Sequence, residues 1–137
     1  MLKAGANPNT SVKGKPLLAF AIEGNQVPLV KQLIKAGANV KAKDDKGNTP
    51  SEYAVIADDW DTILAELVRA GADPNTHIGK ASLLWTALAK EKPALALEVI
   101  KAGANVNEKF QNLTPLSFAR QAGYTDVVTA LQKAGAK

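Results

Sequence analysis

The sequence predicts an all-α helical solenoid, built from short helices and hairpin-like loops. Its 137 residues are 46% hydrophobic but only 5% aromatic, and alanine, leucine and lysine, which lose little side-chain freedom in a helix, are abundant. The phrase KAGAN or a near copy recurs five times along the chain. Apolar pairs precede the later copies at the spacing of one helix face. An array of similar helical units follows from these three observations.

Glycines at the centre of these phrases set the length of the unit. They are spaced by 32, 34, 32 and 32 residues, at Gly5, Gly37, Gly71, Gly103 and Gly135. Periods of this size are typical of solenoids, in which each unit packs only on its neighbours. We therefore predict one domain, residues 1–137, with a partial unit at 1–6 and four full units at about 7–38, 39–72, 73–104 and 105–137.

Each full unit is expected to begin with an exposed loop and a short first helix. Stretches such as NVKAKDDKGN and DPNTHIGK are polar and rich in turn formers, which suits a hairpin-like loop. Proline lacks the N–H that would be unpaired at a helix start, and a threonine hydroxyl accepts a hydrogen bond there. The first helices are therefore predicted to begin at Pro16, Pro50, Ser82 and Pro115, with Thr49 and Thr114 as N-caps.

A second helix is expected to close each unit. Pro28 and Pro93 are placed to open two of these helices. The glycine after Lys-Ala or Arg-Ala should end each one, since glycine readily takes the left-handed conformation at a helix C-terminus. The core-facing apolar positions are Leu29/Val30 with Leu33/Ile34, Ile63/Leu64 with Leu67/Val68, Leu95/Ala96 with Val99/Ile100, and Val127/Val128 with Leu131.

The last unit resembles a known repeat family. Its sequence, TPLSFARQAGYTDVVTALQKAGAK, is similar to the ankyrin repeat pattern TPLHxAA, then Gly-His, then VVxLLL, then GA-Asp. The other units match less closely, but four units in phase cover almost the whole chain. The resemblance implies an ankyrin-type solenoid like that of small stand-alone bacterial proteins, which often inhibit or regulate a partner enzyme. The histidine of the family pattern is assigned here to Leu18, Glu52, Leu84 and Ser117.

The resemblance also implies where a protein partner would bind. Ankyrin proteins commonly bind partners on a concave face made of loop tips and exposed first-helix positions. Carried over to this chain, that face marks Val12, Lys13, Asp45, Lys46, Asn48, His77, Ile78, Lys80, Phe110, Gln111 and Leu113. An apolar series runs through these tips, formed by Val12, Ile78, Phe110 and Leu113.

Lysines border this apolar series. They are Lys13, Lys41, Lys43, Lys46, Lys80 and Lys109. Such lysines would steer an acidic partner, for instance an enzyme with an acidic surface, toward the tips. The alternative is a solvated basic rim that only keeps the protein soluble.

Aromatic residues are expected in two roles. Tyr53, Trp85 and Phe118 are assigned to one equivalent place in successive first helices, which favours a packing ladder. Trp60 stands beside three aspartates at the start of a second helix, where the repeat does not require a large aromatic side chain. Trp60 is therefore a candidate contact residue, with burial against the neighbouring turn as the alternative.

Little in the sequence suggests catalysis or a cofactor. There is no cysteine, and the one histidine, His77, is expected in a loop without a nucleophile or an orienting partner. Capping of a helix start explains Asp58, Asp59 and Asp61 better than a cation site, which needs more oxygen ligands. No glycine-rich loop leads into a helix at nucleotide-binding spacing. We therefore expect no enzyme activity, no metal and no cofactor.

Charge and hydropathy narrow the class of partner. The net charge of +4 comes from lysines interleaved with acidic residues, without a run of five or six like charges. Nucleic acid is therefore not an expected partner. No stretch approaches the roughly twenty apolar residues of a membrane span, so a membrane is not expected either. A monomer that binds a protein is the expectation that remains.

The two ends of the array are expected to differ. Arg120 and Gln132 are polar at places that are apolar in earlier units, as in a C-terminal capping repeat. Met1 and Leu2 correspond to the end of a helix whose preceding residues are missing, so the N-terminus reads as truncated. The compartment stays open: cytoplasmic, or periplasmic if a signal peptide was removed. The alternative to an independent binding module is a structural segment of a longer ankyrin array or multidomain protein.

Overall fold

The computed structural model describes residues 7–137. The predicted partial unit at residues 1–6, with Met1, Leu2 and Gly5, lies outside the described residues. Between residues 7 and 137 the chain forms eight helices and four strands of two residues each, which confirms that it is rich in helix. The chain divides into two compact parts, which we call the N-terminal half, up to Ala72, and the C-terminal half, from Asp73.

The N-terminal half consists of one hairpin and two helix pairs. The strands are antiparallel, with Val12 opposite Lys15. The first helix packs on both the second and the third, and the fourth packs on the second and the third. In chain order the elements are β1 (Ser11–Val12), β2 (Lys15–Pro16), α1 (Leu17–Glu23), α2 (Val27–Lys35), α3 (Pro50–Ala54) and α4 (Trp60–Arg69).

The C-terminal half repeats this arrangement. Its hairpin pairs Ile78 with Ala81, its first helix packs on the next two, and its last helix packs on both of those. A second tip in this half is closed by an isolated bridge between Phe110 and Leu113. The elements are β3 (His77–Ile78), β4 (Ala81–Ser82), α5 (Leu83–Ala89), α6 (Pro93–Lys101), α7 (Pro115–Ala122) and α8 (Thr125–Lys133).

The predicted threonine caps are present. The hydroxyl of Thr49 accepts a hydrogen bond from the backbone N–H of Glu52 at 3.4 Å, and that of Thr114 accepts from Ser117 N–H at 3.1 Å. The Ser117 hydroxyl oxygen in turn accepts from Thr114 N–H at 3.2 Å, which completes a capping box. Pro50 and Pro115 follow these caps as the first helical residues, as predicted.

In α1 and α5, the residue that was expected to be the first helical residue is the N-cap instead. Pro16 and Ser82 have extended backbone and are the N-caps, so α1 and α5 begin one residue later. Counted from the caps, Tyr53 and Phe118 occupy the fourth helical position, whereas Trp85 occupies the third. The prediction that the three aromatic residues share one position is therefore wrong.

The same shift changes which residues replace the family's histidine. In the pattern TPLH the histidine is the third residue after the cap. That place is held by Ala19, Glu52, Trp85 and Ser117. The assignment of Leu18 and Leu84 to it was therefore wrong by one residue, and both are buried core residues instead.

The second helices end as predicted. Gly37 and Gly103 take positive φ, 99° and 97°, in the left-handed region that glycine adopts without strain. After the first of them, the N–H of Ala38 donates to the carbonyl of Leu33 at 2.9 Å, which satisfies an acceptor at the helix end. Within the described residues no helix has the length and hydropathy needed to cross a bilayer.

Asparagine side chains connect successive loops within each half. Asn9 Oδ1 accepts from the N–H of Asn39 at 2.6 Å in the N-terminal half. In the C-terminal half, Asn75 Oδ1 accepts from Asn105 N–H at 2.7 Å, and Asn107 Oδ1 accepts from Lys137 N–H at 2.9 Å. Each link joins residues 30 positions apart: the first two fix loops of neighbouring repeats against each other, and the third fixes the loop before α7 to the segment after α8.

The interior positions of the second helices lose their burial in the last helix. Val68 and Ile100 are buried and Ile34 is half-buried, whereas Gln132 at the matching place is exposed. Arg120 is likewise exposed. These exposures agree with the predicted change from apolar to polar residues at the two sites.

Candidate partner-binding surface

The first hairpin projects a two-residue turn. Lys13 and Gly14 both have positive φ, 52° and 78°, as a two-residue hairpin turn of type I′ requires. The chain reverses between Val12 and Lys15, and Val12 keeps 45% of its surface exposed at the tip. Lys13 is exposed beside it. The structure therefore places both predicted residues at the end of a well-defined turn.

The next loop of the N-terminal half is organised by Asp44. Its Oδ1 accepts from the N–H groups of Lys46 and Asn48 at 2.9 and 2.8 Å. The N–H of Asp45 donates to the carbonyl of Gly14 at 3.0 Å, so this tip lies directly beside the hairpin turn. Of the predicted residues, Asp45 and Lys46 are exposed and Asn48 is half-buried.

Asp44 was not among the predicted site residues, although it fixes the loop that carries three of them. Its carboxylate accepts a hydrogen bond from the Tyr53 hydroxyl, and this bond, together with the donors from Asn48 and Lys46, lowers the pKa of Asp44 to about 2. The same contact raises the pKa of Tyr53. An aspartate three residues before a glycine in a loop is a known turn signal that could have identified it.

Lys15 was also missed, and it lies among charged and aromatic side chains. Its ammonium pairs with the carboxylate of Glu23 at the end of α1. The same nitrogen lies 4.8 Å from the centre of the Phe20 ring and 4.9 Å from that of the Tyr53 ring. Phe20 is 42% exposed, so an aromatic face of this group is open to solvent.

In the C-terminal half the predicted residues occupy two tips. Ile78 and Lys80 flank or form the turn of the β3–β4 hairpin, in which Gly79 has φ 65°. Gln111 and its neighbour Asn112 form the second turn, both with positive φ, 51° and 67°. Ile78 is half-buried, whereas Lys80 and Gln111 are exposed. Positive φ at three of these turn residues fixes the direction in which the tips point.

His77 has partners that the sequence did not suggest. Its Nε2 lies 2.9 Å from a carboxylate oxygen of Glu108, and its Nδ1 lies 3.0 Å from the carbonyl oxygen of Asn75. The prediction that no orienting partner is near was therefore wrong. The contact with Asn75 is local, whereas the contact with Glu108 joins the β3–β4 hairpin to the residues that precede the second tip.

Phe110 is packed more closely than predicted. Its ring centre lies 5.8 Å from that of Trp85, which is buried, and Phe110 itself is half-buried. Trp85 also meets Phe118 edge to face at 5.5 Å and donates from Nε1 to the carbonyl of Glu108 at 2.7 Å. Phe110 thus lies on a loop tip, as expected, but its ring also covers Trp85. Leu113, across the same turn, remains 36% exposed.

Trp60 lies apart from the tips of its half. It is the first residue of α4, at the end of this helix pair away from the hairpin, and it is half-buried. Asp59 before it makes no side-chain cap; instead it accepts from Asn25 Nδ2 at 2.9 Å, and its N–H donates to Asn25 Oδ1 at 2.9 Å. Asp59 therefore stands at the N-cap position, as predicted, but its carboxylate binds Asn25 of the α1–α2 turn and not the backbone of α4.

Comparison with known proteins identifies the repeat. A family profile described as "Ankyrin repeat" matches residues 13–45, which hold the first hairpin turn, α1, α2 and the start of the next tip. Residues 13–45 thus match an ankyrin repeat, and relatives with ankyrin in their names support the same family for the chain. Ankyrin repeats generally mediate protein–protein interaction, and the family is generally non-catalytic.

Several known proteins are similar to this chain, and two of the three described here carry ankyrin in their names. A Rickettsia bellii protein named for its ankyrin repeats is 29% identical over 86% of this chain and 67% of its own length. Mouse Rabankyrin-5 is 32% identical over 100% of this chain but only 12% of its own length. The glycerophosphocholine phosphodiesterase gde1 of Schizosaccharomyces pombe is 29% identical over 87% of this chain and 11% of its own length. The ankyrin chain thus spans only a small part of several relatives.

Proposed function

We propose that this ankyrin chain is a non-catalytic binding module that recognises a protein partner through its loop tips and exposed first-helix residues. Large apolar side chains left in solvent on these elements carry the proposal. Val12 is 45% exposed, Phe20 42% and Leu113 36%, although Val12 and Leu113 lie on backbone that pairs across a turn and Phe20 lies within α1. Exposed apolar side chains on a rigid support are typical of binding surfaces.

Charge supports an acidic partner. Lys13, Lys46, Lys80 and Lys109 are exposed on or beside the tips. Lysines around an apolar centre raise the association rate of a negatively charged partner and contribute less to the final affinity. We propose that the partner is an enzyme with an acidic surface that the chain inhibits or regulates. Association should then slow as salt concentration rises.

The extent of the module is also proposed. The helix pairs support four full repeats within residues 7–137, with boundaries near 38, 72 and 104, in one ankyrin domain. A second candidate function is that of a structural segment of a longer ankyrin array or multidomain protein. It is favoured by relatives such as Rabankyrin-5, of which the chain covers 12%.

Partner capture with matched variants tests the proposal. The chain serves as bait in a native lysate, beside a variant with Val12→Ser and Leu113→Ser and a control with Ile56→Ser. Ile56 is 78% exposed but lies in the turn after α3, away from the tips. We expect a stoichiometric partner that binds the parent chain and the control and is lost with the tip variant. Equal capture by all three baits contradicts the tips as the binding surface.

The regulatory role needs a separate measurement. Once a partner enzyme is captured, its activity is assayed with and without a saturating amount of the chain. A fall in activity that the tip variant does not reproduce supports inhibition. Recovery of no stoichiometric partner by any bait supports the structural-segment alternative instead.

A further inference from the structure

Lys15, Phe20, Tyr53 and Glu23 form a group that we call the ammonium cage. The Lys15 ammonium lies 4.8 Å from the centre of the Phe20 ring and 4.9 Å from that of the Tyr53 ring. Cations within about 6 Å of an aromatic ring centre are attracted by the negative face of the ring. Two rings therefore stabilise a single positive charge at this place.

Carboxylates complete the cage. Glu23 pairs directly with the ammonium, and Asp44 accepts a hydrogen bond from the Tyr53 hydroxyl. The bond to Glu23 raises the pKa of Lys15, and the charge of Asp44 acts in the same direction. Rings and acids from α1, α3 and the loop before α3 thus converge on the cation that β2 carries.

The cage is open to solvent. Phe20 is 42% exposed, and the side chains of Lys15 and Glu23 keep 22% and 49% of their surfaces in solvent. The backbone of Lys15 is paired opposite Val12, so any departure of its ammonium from the rings would have to come from the side chain. Exchange of the cation does not require the hairpin or helix to open.

We propose that this cage is a recognition site for the alkylammonium group of an exposed lysine on the protein partner, and that Lys15 occupies it in the unbound chain. When the partner's lysine enters, Lys15 moves into solvent beside Lys13, where it adds a positive charge to the tip. This inference rests on the proposed function in one respect, which is that a protein partner supplies the ammonium group. The cage itself depends on no partner.

Titration of a vacated cage tests the proposal. Lys15→Met keeps the aliphatic stem but removes the ammonium, and n-butylammonium chloride, which matches a lysine side chain, is added. Ring-proton NMR signals of Phe20 and Tyr53 report binding. We expect saturable shifts in the variant and binding at least about tenfold weaker in the unaltered chain, in which the tethered Lys15 competes at high effective concentration.

Three controls make the result specific. Lys13→Met removes an equal charge two residues away and should leave binding as weak as in the unaltered chain. Phe20→Leu added to Lys15→Met should weaken butylammonium binding by about tenfold, since one ring is lost. The neutral analogue 1-butanol should cause no saturable shift. If 1-butanol binds as well as butylammonium, the site recognises only the apolar chain, and the proposal is overturned.

The source of the ammonium is distinguished with peptides. An N-acetylated Gly-Gly-Lys-Gly-Gly peptide should bind the Lys15→Met variant, and the same peptide with acetylated lysine should not. The Lys15→Met variant must first retain its helical circular dichroism and its cooperative unfolding. If its ring signals then show no saturable shifts, Lys15 has only a structural role. That outcome leaves the tip-variant capture experiment unaffected, so the two proposals fail separately.

Discussion

Glu91, in the turn between α5 and α6, has an unfavourable backbone conformation. Its φ is 60°, in the left-handed region where side chains other than glycine, asparagine and aspartate are strained. Glu91 is exposed, so its removal leaves no cavity. We expect Glu91→Gly to stabilise the protein by about 0.5–1 kcal/mol, because relief of strain outweighs the added freedom of the unfolded chain. Urea unfolding followed by circular dichroism measures the change.

Asn25 provides the matched control for this prediction. It has nearly the same conformation, with φ 54°, at the corresponding turn between α1 and α2. Its side chain, however, exchanges two hydrogen bonds with Asp59, so Asn25→Gly should lower stability. Stabilisation by both substitutions, or by neither, would contradict the account of Glu91.

Phe110 separates packing from binding at the second tip of the C-terminal half. Phe110→Ala should lower the unfolding free energy by about 1–3 kcal/mol, since the half-buried ring covers Trp85. Leu113→Ala, on the exposed side of the same turn, should change it by less than about 0.5 kcal/mol. Urea unfolding gives both values, and the fluorescence of Trp85 should shift to longer wavelength only in Phe110→Ala. If Phe110→Ala leaves the unfolding free energy unchanged, the ring does not contribute to packing and Phe110 is better assigned to the binding surface.

Residue contacts were predicted well where they are local and poorly where they join repeats. The caps Thr49 and Thr114 follow from neighbouring residues and were correct. The contact of His77 with Glu108 joins residues 31 positions apart, and nothing in the local sequence marks it. The repeat period offered a signal, because residues about one period apart lie side by side in a stacked array.

The loop at residues 44–48 is a small element whose stability should depend on pH. The pKa of Asp44 is lowered to about 2 by the Tyr53 hydroxyl and by donors from Asn48 and Lys46. A carboxyl group whose pKa in the folded protein is lower than its ordinary pKa of 3.8 stabilises the folded state, and this contribution is complete when the pH is above 3.8. This contribution should be lost as the pH falls from about 4 to about 2.

Asp44→Asn supplies the comparison for the pH dependence. Asparagine does not titrate, so the variant should be less stable than the parent at pH 7, and this difference should shrink between pH 4 and pH 2. Urea midpoints across this range measure it. A constant difference between the two proteins over the whole range would show that the Asp44 carboxylate does not hold the loop.

The helices were easier to predict than the register inside them. Prolines, threonines and glycines mark helix ends by local backbone chemistry, and the observed starts at Pro50, Pro93 and Pro115 agree with the expectation. Pro16 and Ser82 proved to be caps, which displaced Trp85 by one position from its supposed equivalents. A proline can stand at the cap or just after it, and the sequence around Pro16 carries no threonine to decide between the two.

At the scale of the whole molecule, polar residues on the last helix pair should govern self-association. Arg120 and Gln132 are exposed where earlier helices bury apolar side chains. Arg120→Ala combined with Gln132→Leu should leave an apolar face on α7 and α8 that promotes association between copies. Sedimentation velocity over a range of concentrations should show a rising average mass. The control Arg120→Lys with Gln132→Ser keeps the face polar and should sediment like the parent. If Arg120→Ala with Gln132→Leu also sediments like the parent, the capping role is contradicted.

The asparagine links between loops also bear on synthesis of the chain. Each of them, from Asn9 to Asn39, Asn75 to Asn105 and Asn107 to Lys137, spans 30 residues. A ribosome that adds about 5–20 residues per second supplies that length in about 2–6 s. Within each half, the second repeat therefore emerges when the first is already outside the exit tunnel. The apolar face of the first repeat in each half is therefore uncovered for only about 2–6 s during synthesis.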